Sequence, residues 1–200
     1  MDAGIDKPNM QNQEDSALVS AFQRGDKSAF DRLVLKYKDM VFNLCYRFLG
    51  NREEADDCAQ ETFIKVYRSL KNFRLESAFS TWLYRIAVNT CKNKITSLEY
   101  RHRKNTIALN AERKSEDGFY TLEIKDGSLS PKEILEKKEK DMLLQRAIDS
   151  LPEDQKAIVV LRDIEGLSYG EISEIGGYKL GTVKSKLARA RQALAKKLRA

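Results

Sequence analysis

The sequence predicts an all-α protein made of two helical domains joined by a flexible linker. Apolar residues recur at three- and four-residue spacing through most of the chain, which is the period of a helix that buries one face. No segment sustains the period-two alternation of a strand. The helical pattern is lost between residues 99 and 131, a polar stretch too long for an ordinary loop inside a compact domain. We therefore expect a tail at 1–15, domains at 16–98 and 132–200, and a linker at 99–131.

Composition favours a polyanion-binding protein in a reducing compartment. The chain of 200 residues has a formal net charge of +6 and a sequence pI of about 9.1, which favours nucleic acid as a partner. Its cysteines, Cys45, Cys58 and Cys91, are far apart without CxxC spacing, so we expect no disulfide and no metal site. No signal peptide or run of about 18 apolar residues is present, so the cytoplasm is the expected location.

The fourth helix of the first domain, FSTWLYRIAVNTCKNK, carries a large aromatic side chain on its polar face. Ser80 or Thr81 is expected to cap its start. On a helical wheel the apolar stripe falls opposite a line formed by Trp82, Arg85, Asn89 and Asn93. Two interpretations remain open for Trp82. It packs beneath a neighbouring loop, or it is a platform on which an unstacked base lies while the amides read the base edges.

The third helix has a different character. Its first turns are acidic, which the helix dipole favours and which would repel nucleic acid. An edge formed by Gln60, Glu61 and Ile64 stays outside the apolar stripe that contains Phe63. This edge therefore suits a protein partner, so the first domain is expected to contact two partners of different kinds.

The second domain ends in a helix-turn-helix pattern. Ser168 and Glu171 have capping-box spacing at the start of a short helix, which breaks at Gly176 and Gly177 before a last helix. From residue 179 to 200 the chain has eight Lys or Arg residues and no acid. A block of one sign behind a helix-turn-helix is better explained by DNA phosphates than by a solvated surface helix. Lys184 and Arg189 are the candidates for reading the duplex.

Taken together, these motifs resemble the extracytoplasmic-function class of bacterial sigma factors, the sigma-E-like branch of the sigma-70 family. SAFSTWLYRIAVNTCKN resembles that family's minus-ten region, and DDCAQETFIKVYRSL resembles its clamp-binding helix. SLPEDQKAIVVLRDIEGLSYGEISEI followed by LGTVKSKLARAR resembles its minus-thirty-five reader. The resemblance implies a region 2 bundle and a region 4 helix-turn-helix, together directing promoter-specific initiation.

The resemblance also implies roles for particular residues. The implied minus-ten contacts are Phe73, Arg74, Ser77, Trp82, Arg85, Asn89 and Asn93. The implied minus-thirty-five contacts are Thr182, Lys184, Ser185, Lys186 and Arg189. The implied polymerase contacts are Asp57, Gln60, Glu61, Phe63 and Ile64. The implied partners are the clamp and flap of core RNA polymerase, duplex and single-stranded promoter DNA, and an anti-sigma factor, with no cofactor and no small-molecule substrate.

The sequence departs from the family pattern at two positions, and one rival function is compatible with part of it. Gly176 stands where the family usually has a larger apolar residue, and Lys179 stands where proline is common, so the geometry of the turn is in question. The rival is a stand-alone helix-turn-helix regulator, which would leave the first four helices without a role. An enzyme is not expected, because no catalytic triad, P-loop or GxGxxG pattern occurs.

Overall fold

A computed structural model of the chain describes residues 7–97 and 131–199, and all regular structure within them is helical. The first group of helices comprises α1 (Lys7–Gln23), α2 (Ser28–Leu49), α3 (Arg52–Leu70) and α4 (Phe79–Thr96). The second group comprises α5 (Pro131–Asp149), α6 (Glu153–Val159) with a π-helical continuation (Val160–Ile164), α7 (Tyr169–Gly176) and α8 (Leu180–Leu198). The all-α prediction is confirmed. The predicted linker lies almost entirely outside the described residues.

Helix α2 is the centre of the first group and packs against α1, α3 and α4. Its apolar stripe is buried, with Val41 and Leu44 fully covered. Gly50 ends the helix at a positive φ of 72°, a conformation that glycine adopts without the steric cost a side chain brings. Asn51 then caps α3 by accepting a hydrogen bond from the Glu54 amide at 2.9 Å. The short connection through Gly50 and Asn51 places α2 and α3 next to each other.

The starts of α1 and α4 differ from the sequence prediction. Helix α1 begins at Lys7, within the segment predicted as a tail, and its residue Asp15 is buried. Asp15 accepts hydrogen bonds from the Tyr37 hydroxyl and from Lys36 Nζ, so docking on α2 accounts for the extra helix. The predicted Ser80 or Thr81 cap of α4 is wrong, because the helix starts at Phe79 and Ala78 precedes it without a side-chain cap.

The second group forms the predicted helix-turn-helix. Ser168 and Glu171 make the expected capping box at the start of α7, and Gly177 ends that helix at a φ of 66°. Ile172 on α7 and Val183 on α8 are both fully buried in the core. The turn therefore holds α8 with its polar face pointing away from the core.

The two groups of helices pack against each other. Gln145 on α5 donates to the Arg47 carbonyl on α2 at 3.2 Å, and Lys156 Nζ donates to the Phe48 carbonyl at 3.0 Å. On the α4 side, the Tyr84 hydroxyl donates to Glu165 at 2.8 Å. Buried hydrogen bonds to backbone carbonyls give this contact a fixed geometry.

Candidate nucleic-acid and protein interfaces

Trp82 lies in an aromatic stack between α4 and the loop that precedes it. Its ring stacks on Phe73 with 4.5 Å between centroids and 22° between planes, and Phe79 contacts the pair from the core. Gln23 Nε2 fixes the loop by donating to the carbonyls of Leu70 and Phe73 at 3.1 and 2.8 Å. The Trp82 side chain is half-buried. One face of Trp82 therefore packs against the loop, as the first interpretation expects, while part of the ring stays exposed. Its use as a platform for a base stays a prediction.

The other predicted minus-ten residues lie in the loop beside this stack and further along α4. Arg74 is exposed with 83% of its side-chain surface accessible, and Ser77 is half-buried in the same loop. Asn89 and Asn93 are exposed on α4 below Trp82. The structure therefore brings these residues together on one side of the first group, around the end of the loop and along α4.

Arg85 differs from its neighbours because it already has partners in the second group. Its Nη2 donates to the Glu174 carbonyl on α7 at 3.1 Å and lies 3.5 Å from the Glu174 carboxylate. The helix-turn-helix thus covers part of the α4 surface predicted to meet DNA.

Asp154, at the start of α6, connects the two predicted DNA surfaces. It accepts hydrogen bonds from Lys186 Nζ on α8 at 2.8 Å, from the Tyr178 hydroxyl at 2.6 Å and from Lys92 Nζ on α4 at 3.0 Å. The hydrogen bond from Lys186, followed by that from Tyr178, holds the pKa of the Asp154 carboxyl well below its usual range. This carboxylate therefore stays charged at physiological pH and pairs with one cation from α4, Lys92, and one from α8, Lys186.

Sequence reasoning missed Asp154, Tyr178 and Glu174. Each is unremarkable locally, and Asp154 reads as an ordinary acid in the first turn of a helix. Its partners lie 24, 32 and 62 positions away in the chain, so no local spacing could reveal the network.

The polar face of α8 is mostly open. Lys184, Ser185 and Arg189 are exposed, while Thr182 is half-buried and accepts a hydrogen bond from Ser185 through its carbonyl. Lys186 is tied to Asp154, as described above. An exposed row of two cations and a small hydroxyl on one helix face is the arrangement that suits approach to a major groove.

The edge of α3 is exposed as the sequence predicts. Asp57, Gln60 and Glu61 are exposed, and Ile64 is 51% exposed despite its apolar side chain. Phe63 is only partly buried and packs against the core. An exposed apolar side chain within an acidic row is suited to a protein partner, because acids would repel a nucleic acid.

The three cysteines are brought together by the fold, against the sequence expectation. Their sulfur atoms lie within 4.8 Å of one another in the core between α2, α3 and α4. The sequence reasoning treated distance along the chain as distance in space, which helix packing overturns. In the described residues this is the one group of side chains with the donor types and spacing for a metal ion.

In the part of the chain that the structure describes, no helix is both long enough and apolar enough to cross a membrane.

Comparisons with known proteins agree on one family. The sigma-70 region 2 family matches residues 33–101, and the sigma-70 region 4 family matches residues 141–194. The RNA polymerase sigma-H factor of Pseudomonas aeruginosa is 41% identical, covering 93% of this chain and 94% of its own. The ECF RNA polymerase sigma-E factor of Haemophilus influenzae is 40% identical, covering 92% of this chain and 95% of its own. The predicted domain boundaries stay predictions.

Among solved structures, the fold is similar to the sigma factor RpoE of Bartonella quintana, determined in complex with the anti-sigma factor NepR. The TM-score is 0.61 at 22% identity, covering 86% of this chain and 97% of that one. At this identity the likeness shows the shared fold.

Proposed function

Because the chain belongs to the extracytoplasmic-function branch of the sigma-70 family, we propose that it binds core RNA polymerase and reads a promoter through two separate surfaces. It is an alternative sigma factor that directs promoter-specific transcription, and not an enzyme. The observation that carries the proposal is that one chain matches both the region 2 and the region 4 family. A stand-alone regulator would use only the helix-turn-helix and would leave the region 2 domain unexplained.

The minus-ten element is read by the loop and α4. In this proposal Phe73, Arg74 and Ser77 receive a base flipped out of the duplex, and Asn89 and Asn93 contact the single strand. Flipping costs a few kcal/mol. A stack already formed between Trp82 and Phe73 offsets part of that cost, because its side chains do not have to be ordered when the base arrives.

The minus-thirty-five element is read by α8. Lys184, Ser185 and Arg189 enter the major groove, with Thr182 and Lys186 at its margin. Lys186 and Arg85 reach DNA by exchanging their present carboxylate partners for phosphates. In this proposal, promoter binding therefore separates the two domains from the arrangement described above.

Core polymerase binds this chain at two places. Its clamp binds the edge of α3, and its flap binds the second domain. The α3 residues at the clamp contact are Asp57, Gln60, Glu61, Phe63 and Ile64.

We further propose a cytoplasmic location and control by an anti-sigma factor. The complex between a similarly folded sigma factor and its anti-sigma factor supports this last point.

A binding assay with core polymerase tests the proposal. Ile64→Asp puts a charge on the exposed apolar side chain of the α3 edge, and we expect a fall in affinity of about tenfold or more, because desolvating a charge at an interface is costly. The matched control is Leu35→Asp, which alters an apolar residue of α2 that is 65% exposed. Leu35→Asp is expected to bind as the wild type does. Equal affinity of the wild type and both variants, or no binding of the wild type, contradicts the proposed docking edge.

A further inference from the structure

The three cysteines form a compact sulfur cluster inside the first domain. Cys91 on α4 lies 3.6 Å from Cys45 on α2 and 3.6 Å from Cys58 on α3, sulfur to sulfur. All three side chains have no exposed surface. They come from three different helices, so their relative positions are held by the packing of the whole bundle.

These distances match those of sulfur atoms around one metal ion. Metal–sulfur bonds of about 2.3 Å place the sulfurs about 3.8 Å apart in a tetrahedral site and about 4.0 Å apart in a planar trigonal site. The observed 3.6 Å separations are shorter by only a few tenths of an ångström. Rotation of one cysteine side chain, or a small helix displacement, is enough to open the triangle around an ion.

We propose that Cys45, Cys58 and Cys91 bind a thiophilic metal ion as a three-coordinate site, and that the ion is Cu(I). Thiolates select Cu(I), zinc and iron–sulfur clusters among biological metals. Structural zinc is almost always four-coordinate. Among the described residues the group has no fourth histidine, cysteine or carboxylate. An ion that accepts three sulfur ligands fits this set best.

A positive charge lies close to the sulfur cluster. It belongs to Lys94 on α4, three residues after Cys91, and acts on Cys45 and Cys58. Lys94 is held in place by Glu54 at 2.9 Å and by Asp57 at 3.6 Å. Its positive charge partly compensates the excess negative charge of three thiolates around a monovalent ion.

The cluster lies near one end of the bundle, which gives the ion a route to it. Cys45 is four residues before the end of α2, Cys58 six residues after the start of α3, and Cys91 five residues before the end of α4. At 1.5 Å per residue, each sulfur ligand is within about 6–9 Å of a helix end. Local opening at the end of α4, which costs less than global unfolding, exposes the thiols.

Titration of the reduced protein with Cu(I) under anaerobic conditions, in competition with a chromophoric Cu(I) chelator, tests the site. We expect one ion per chain and near-ultraviolet absorption from the copper–thiolate bond. Cys58→Ala and Cys91→Ala should each lower the affinity at least tenfold, since each removes one of three ligands. Val41→Ala is the control, because it removes buried volume from α2 one turn before Cys45 and leaves every thiol in place.

X-ray absorption of the loaded wild-type protein adds a measurement that needs no variant to fold. Three sulfur neighbours at one bond length support the three-coordinate site. The proposal is overturned if Cu(I) binds no more tightly than to the triple alanine variant, if fewer than three sulfurs surround the copper, or if Zn(II) binds and Cu(I) does not displace it. The outcome is independent of promoter recognition, because no polymerase or DNA is present.

Discussion

At the scale of single residues, Trp82 combines a structural contact with an exposed surface. Its ring is stacked on Phe73 with 22° between the ring planes and is only half-buried. Offset aromatic pairs contribute about 0.5–1.5 kcal/mol beyond the area they bury, so the stack helps to fix the loop. The remaining exposed part of the indole is then presented in one orientation, which is what a base-stacking platform requires.

Replacing Trp82 with alanine is expected to impair promoter opening more than initial promoter binding. Stacking of a base is worth roughly 1–3 kcal/mol, so the open-complex equilibrium constant should fall about 5- to 150-fold. Permanganate footprinting reports melted DNA, and gel-shift titration at low temperature reports the closed complex. Trp82→Phe, which keeps an aromatic ring at this position, should lose much less. An equal loss of both complexes in Trp82→Ala argues against the platform.

Residue-level reasoning from the sequence succeeded where a property depends on one helix face. The exposure of Asn89 and Asn93, and of Lys184 and Arg189, follows from helical periodicity alone. It did not succeed for the cysteines, because their proximity arises from the packing of three helices. Whether each of the exposed residues contacts DNA stays a prediction.

At the scale of elements, the turn between α7 and α8 explains one departure from the family pattern. A Cβ atom on Gly176 would lie 2.5 Å from two atoms of the Tyr178 ring. Tyr178 thus takes up the space that a larger residue at position 176 would fill. Its hydroxyl donates to Asp154, and its backbone carbonyl accepts from the Ser173 hydroxyl at 2.5 Å. Gly176 and Tyr178 therefore form one structural unit at this turn.

Gly176→Ala is expected to destabilise the protein by about 1–3 kcal/mol, the usual cost of overpacking a fixed site. Gly181→Ala is the matched control, since a Cβ there meets no atom within 4 Å and alanine favours the helix. Urea unfolding at constant pH measures both. A Gly176→Ala variant as stable as Gly181→Ala would mean that the Tyr178 ring moves aside freely.

Helix boundaries in the sequence analysis were accurate where a cap or a glycine marks them. Gly50 and Gly177 end helices, and the Ser168 capping box begins one, as local chemistry indicates. The start of α1 was placed too late, because its first turns are polar and Asp15 finds its partners only in the fold. The start of α4 was misplaced because no side-chain cap marks it.

At the scale of the whole molecule, the contact between the two domains includes a carboxylate that is poorly solvated. Glu165 accepts the hydroxyl hydrogen bond of Tyr84, yet burial raises the pKa of the Glu165 carboxyl above its ordinary value. The charged form is therefore disfavoured in the folded state. This cost is absent at pH values below the ordinary pKa, and it develops as the pH rises through the folded-state pKa.

Glu165→Gln is accordingly expected to stabilise the protein at pH 7 and to have little effect at pH 4. The amide keeps an acceptor for Tyr84 without a partly buried charge, and the expected rise in Tm at pH 7 is roughly 1–3 °C. Glu76→Gln, which alters a carboxylate with 78% side-chain exposure, serves as the control. Thermal unfolding followed by circular dichroism at both pH values provides the comparison. A lower Tm at pH 7 would show that Glu165 gains more from its partners than burial costs.

The arrangement of the two domains was beyond sequence reasoning. Periodicity and charge indicated two helical domains, and the family comparisons confirm the region 2 and region 4 pair. The contacts of Arg85 with Glu174, and of Lys92 and Lys186 with Asp154, join residues separated by 32 to 89 positions. Such pairings depend on domain packing, for which a single sequence carries no periodic signal.

The central claim is that this chain gives core RNA polymerase its promoter specificity. The most direct test is run-off transcription with sigma-free core polymerase on fragmented genomic DNA, followed by sequencing of the transcript starts. We predict discrete starts that share two upstream motifs and that depend on added protein. Random starts or no stimulation by a folded protein, together with sequence-specific duplex binding, would contradict the claim and identify a stand-alone regulator.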